Sequence, residues 1–204
     1  MKSKNALLSI LVFLSVSVFA QEKKVAPKKS GPTPESVKPV VKSEKEISAA
    51  ASPGQMHEII IKLSGDWSTD ETFKSGPGAQ PEKSTGKSNN EMIMQNRFLR
   101  IRHHSMTPMG EFEGEGLMGY DNLQNTFQFT WIDNMSTGMM NMKGSYDSKT
   151  NSITLTGTGM NPQTGLPEKV KQIFKFADDG TIVLEIYGTK NNAEYVSARI
   201  VYTR

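Results

Sequence analysis

The sequence has no cysteine. That absence excludes disulfides, thiolate metal centres, a thiol nucleophile and a lipid anchor on cysteine. Histidine is scarce: there are 3, and none lies beyond His104. Long apolar runs are missing after Val18, so no later segment approaches the roughly 20 apolar residues that a membrane helix needs. A glycine-rich phosphate loop and the zinc and calcium spacings are absent as well. None of the many serines sits in a strand-turn-helix elbow, so a hydrolase triad has no starting point.

Charge of one sign is missing where it would matter. The chain is formally +3, but the excess lies in its amino-terminal part. Residues 1–20 carry Lys2 and Lys4, and residues 21–52 carry seven Lys against four Glu. Residues 53–204 carry 15 Lys and Arg against 17 Asp and Glu. The part able to fold is slightly acidic and presents no cationic stripe, so no nucleic-acid partner is expected.

What is present begins with a leader. Lys2 and Lys4 precede the apolar run Ala6–Val18, and Val18-Phe19-Ala20 supplies small residues at cleavage positions. Residues 1–20 read as a secretory signal peptide, with no membrane span left after its removal. The mature protein is expected to be exported, either periplasmic or secreted. Residues 21–52 are rich in Lys, Pro, Ser and Glu and lack aromatics. They cannot bury enough apolar surface to offset ordering entropy and read as a disordered spacer. Residues 53–204 form the domain.

Met56, Ile59, Ile60 and Leu63 share one face of a short lead-in helix. Strands follow. In Thr126–Asp133, Phe127, Phe129, Trp131 and Asp133 alternate with Thr126, Gln128, Thr130 and Ile132, the period of a strand with one buried face. Leu99, Ile101 and His103 alternate in the same way. Gly114 and Gly116 fall inside a strand, which they weaken unless it bends or another group approaches closely. Tyr120-Asp121 with Asn125, and Tyr146-Asp147 with Asn151, repeat 26 positions apart; Asp and Asn suit turns because they bond their own backbone and tolerate positive φ. Residues 76–86, rich in Gly, Pro and Ser, read as a long loop. About ten strands with hairpin-sized connections predict an all-β, antiparallel up-and-down barrel.

Gly65-Asp66-Trp67 at the opening of the first strand resembles the entry to lipocalin and calycin barrels. In those barrels the Trp closes the bottom and a late basic residue packs over it, a part that Arg199 or Arg204 would take here. Over Met56 to Arg204 the chain resembles the bacterial domain-of-unknown-function 1579 family. The matching residues are Gly119-Tyr120-Asp121, Thr130 through Gly138, Gly144-Ser145-Tyr146-Asp147, Leu155-Thr156-Gly157, Asn161 through Gly165, Glu185-Ile186-Tyr187 and Tyr202-Thr203-Arg204. The resemblance implies a calycin/lipocalin-like β-barrel and no activity, since a fold does not carry a function with it.

The candidate chemistry is that of a pocket. Phe127, Phe129, Trp131, Met140 and Met142 would supply an apolar lining, with Asp133, Glu185 and Tyr187 as orienting groups if their faces turn inward. This predicts a non-catalytic binder of a small apolar or amphipathic ligand, with no cofactor. Three alternatives stay open. One is an enzyme using the same polar groups. Another is a periplasmic Cu(I) protein using Met139, Met140, Met142, Met106 and Met109 beside His103 and His104. The third is a structural or protein-interaction barrel whose interior is filled. Haem is disfavoured by resemblance: related haem barrels continue Gly-x-Trp with further glycines and place a histidine near the chain end, whereas Ser68-Thr69-Asp70 follows Trp67 here. Glu111, Glu113 and Glu115 alternate on one strand face, as a solvated outer face does.

Overall fold

In the computed structural model, residues 42–107, 110–161, 164–190 and 193–204 are described. The leader and most of the expected spacer, together with Pro108, Met109, Pro162 and Gln163, lie outside them. Two helices, α1 (Glu44–Ala51) and α2 (Gln55–Ile61), precede ten strands. These are β1 (Gly65–Phe73), β2 (Glu82–Ile93), β3 (Phe98–Thr107), β4 (Gly110–Asp121), β5 (Thr126–Asp133), β6 (Met140–Asp147), β7 (Ser152–Met160), β8 (Pro167–Phe176), β9 (Ile182–Lys190) and β10 (Ala193–Thr203). Each strand pairs antiparallel with the next, and β1 pairs with β10. The sheet thus closes into an up-and-down barrel with no free edge.

The turns at the lower end follow the expected chemistry. Asp121 Oδ1 accepts from the backbone N–H of Leu123 at 2.8 Å and of Gln124 at 3.1 Å. Asp147 Oδ1 accepts from Lys149 N–H at 2.9 Å. Asn125 and Asn151 hold φ of 51° and 47°. These bonds, led by the Gln124 N–H for Asp121 and the Lys149 N–H for Asp147, hold both carboxyls below the usual range. Both aspartates are therefore turn residues.

The lower half of the interior is packed solid. Leu99, Met118, Phe127, Ile153 and Leu155 are fully buried, and α2 closes this end with Ile59, Ile60 and Leu63. Trp67 anchors the closure: its Nε1 donates to the Leu63 carbonyl at 3.0 Å, and Tyr202 meets its ring edge-on at 6.3 Å. Arg204 is the late basic residue: its guanidinium lies 4.5 Å from the Trp67 ring centre and donates to the Ser64 carbonyl at 3.2 Å.

Two elements differ from the sequence expectation. The expected loop at 76–86 is shorter, because β2 already begins at Glu82. Its inward face is Ser84, Gly86, Ser88 and Asn90, so it lacks the apolar alternation that marks a strand. It is held instead by ladders to β1 and β3 on both sides. The end of the expected spacer is helical. Ser43 and Glu46 form a reciprocal capping box that starts α1, which satisfies donors the first turn leaves open. Arg97 Nε then donates to the Ala51 carbonyl at 3.1 Å, and Asn122 Nδ2 to the Ala50 and Ser52 carbonyls at 3.0 and 2.8 Å. These bonds tie the helix end to the barrel.

Candidate functional site

The upper interior differs in chemistry from the lower. Counting inward from Trp67, β1 presents Thr69 and Glu71, and β3 presents His103 and Ser105; all four are buried. Glu71 is 2% exposed and His103 6%. His103 Nε2 lies 2.8 Å from Glu71 Oε1, which also accepts from Thr69 Oγ1 at 2.9 Å. Burial pushes the Glu71 carboxyl up, but the His103 contact and the Thr69 hydroxyl outweigh it and hold the group below the usual range. Glu71 is therefore a buried carboxylate. The strand between β1 and β3 makes room for it. A Cβ at Gly86 would lie 2.8 Å from Glu71 Oε1 and 2.7 Å from Ser105 Cβ.

Five buried side-chain atoms find no hydrogen-bond partner among the described residues, and four of them belong to buried residues of the barrel: Glu71 Oε2, His103 Nδ1, Ser105 Oγ and, on β8, Gln172 Oε1. A buried polar atom without a partner costs about 1–3 kcal/mol. Such atoms are met by ordered water or by a bound group.

Beside this cluster, on β4 and β5, the wall is aromatic and half-buried. Phe112 lies 6.0 Å from the His103 ring and stacks on Trp131 at 6.5 Å with 19° between planes. Trp131 Nε1 donates to Asp133 Oδ2 at 3.0 Å. Gly114 and Gly116 accommodate these rings. A Cβ at Gly114 would lie 2.1 Å from Trp131 Cζ2, and one at Gly116 would lie 2.8 Å from Phe129 Cε2. The close approach that the sequence left open is thus made by the β5 aromatics. Met140, Val170 and Ile186 are also only partly buried against the core.

The sequence-predicted residues separate into three groups. Phe127, Phe129 and Met142 are buried in the packed core. Trp131, Met140 and Asp133 lie farther from α2 along their strands and are half-buried. Glu185 and Tyr187 require a correction. Ile182, Leu184 and Ile186 turn toward the core, so the alternate residues Val183, Glu185 and Tyr187 face outward. There Glu185 pairs with Lys175 at 2.8 Å and accepts from the Tyr187 hydroxyl at 2.7 Å. Lys171 sits 4.1 Å over the Tyr187 ring. The Glu185 hydrogen bond, with burial, pushes the Tyr187 hydroxyl up to about 12. Both faces of β9 begin with aliphatics, and the more apolar face won the core.

The methionines do not assemble into one soft site. Met142 is buried and Met140 half-buried on the inner face, while Met139 and Met106 are exposed; Met109 lies outside the described residues. His104 faces outward and pairs with Glu111 at 2.8 Å.

A closed antiparallel barrel, plugged below by a helix and locked by a Trp–Arg stack, defines the calycin-like class. Within it, the chain belongs to the family described as "Protein of unknown function (DUF1579)", whose model matches residues 52–204. Among solved structures, the crystal structure of Rv2717c from M. tuberculosis is similar, with a TM-score of 0.55 and 13% identity. The likeness covers 75% of this chain and 99% of that one, and it is a likeness of fold. No curated protein matches the chain.

Proposed function

We propose that the protein is a non-catalytic binder of a small amphipathic molecule, held in the upper half of the barrel. The observation that carries the reading is the set of unpartnered buried atoms on Glu71, His103, Ser105 and Gln172, with the half-buried Phe112 ring beside His103 and stacked on Trp131. A ligand with a polar end and an apolar body would satisfy both at once, which is how small-molecule pockets are built. On this reading the packed lower half supplies rigidity and the ligand enters from the opposite end. The signal-like leader supports a role after export, in the periplasm or outside the cell.

N-phenyl-1-naphthylamine, an aromatic amine whose emission rises in apolar surroundings, tests this on the mature protein. Saturable binding is expected, weakened about tenfold or more in W131A. The variant's melting temperature should change less than its affinity suggests. Absence of saturable binding, or equal binding by W131A, would overturn the proposal. A loss of stability with affinity unchanged would make Trp131 a core residue and the barrel a structural one.

A further inference from the structure

The proposed site carries information about the polar end of its ligand. Glu71 is the only acid among the buried side chains described, and no lysine or arginine is buried with it. A carboxylate has no hydrogen to give, so His103 Nε2 donates to Glu71 Oε1. Glu71 Oε2 and Gln172 Oε1 are acceptors without a donor. Ser105 Oγ, the fourth unpartnered atom, can either give or accept. The interior therefore offers one charged acceptor, Glu71 Oε2, beside the adaptable Ser105 hydroxyl and the Gln172 amide, which both gives and accepts. A ligand carboxylate would face Glu71 at close range, where two like charges repel strongly in a water-poor setting. A primary amine brings three donors and a compensating charge. The rings of Phe112 and Trp131 present π faces that favour a cation or an aromatic body beside it.

Resting on the binding reading above, we infer that the site selects ligands whose polar end is an amine, and rejects carboxylates. The apolar remainder is small and flat enough to lie between the Phe112 and Trp131 rings and the core below.

The test uses the full mature chain and three matched probes, benzylamine, benzyl alcohol and benzoate, each displacing N-phenyl-1-naphthylamine. Benzylamine should bind about tenfold or more tightly than benzoate, with the alcohol between them. E71Q should weaken benzylamine about tenfold while moving the alcohol less than about threefold. Benzoate binding as well as benzylamine, or E71Q leaving the amine-to-alcohol ratio unchanged, would overturn the inference and leave the binding reading standing. Failure of all three to displace a bound probe would do the same. If the naphthylamine itself does not bind, both readings fall. Should E71Q not fold, the ranking of the three probes on the native protein decides the matter alone.

Discussion

Glu71 on β1 reaches across β2 to His103 on β3, 2.8 Å away, and it does so over the one position of β2 that carries no side chain, Gly86. The three strands are consecutive neighbours in the barrel. Any residue with a Cβ at the middle position would stand between the carboxylate and Ser105.

The G86A variant tests that relationship. Its added methyl would lie 2.6 Å from the His104 carbonyl oxygen as well as against Glu71. A backbone oxygen cannot swing aside, so the strand must shift, and overpacking of this kind costs about 1–3 kcal/mol. G138A is the control: nothing lies within 4 Å of its added methyl and its φ is not positive. Urea unfolding should show G86A destabilised and G138A within about 0.5 kcal/mol of the parent.

The closure at the lower end gives a second expectation. Arg204 is the last residue, yet it covers Trp67 and holds the Ser64 carbonyl. R204A should lose about 1 kcal/mol, the range of a cation–π contact at a partly exposed site. R204K keeps the charge but loses the planar stack and should recover only part of it. Thermal melts of the three proteins check the order.

Much of the barrel could be read from residues, and what could not has a physical reason. β5 was legible because Phe127, Phe129 and Trp131 alternate with polar partners. The start of β2 was not, because its inward face of Ser84, Gly86, Ser88 and Asn90 carries no apolar signal. The same blindness hid the polar cluster. His103 could be placed inward by its phase with Leu99 and Ile101, but Glu71 sits in a run of Thr, Asp and Glu that looks solvated. The available clue was its period-two spacing from Trp67. The sequence leaves the facing of Glu185 and Tyr187 open, because Val183 on their face and Ile182 on the other compete for the core, and only the neighbouring strands break that tie. The helix α1 was masked by averaging: the composition of residues 21–52 hides the Ser43–Glu46 box and the Ala-rich end.

His57 supplies a pH dependence. It is buried at the lower end, where Nδ1 accepts from the Gly54 N–H at 3.0 Å and its ring meets Tyr120 edge-on. Burial, then the nearby Arg97 charge, hold its pKa below the ordinary value. The folded state thus keeps it neutral while the unfolded chain takes up a proton near pH ~6.5. Its stabilisation is complete above that value and is lost as pH falls through it. Between about pH 7.5 and about pH 5.5 the parent should lose melting temperature, and H57N, which retains an acceptor but does not titrate, should lose less.

The central claim is that the upper barrel holds a small molecule. Native mass spectrometry of the mature protein, recovered from the cells that make it without any lipid-extraction step, tests it most directly. The account predicts a discrete organic adduct that is absent from W131A prepared in the same way. A bare protein mass for the parent, or an adduct retained in full by W131A, would contradict it and point to a barrel filled by its own side chains.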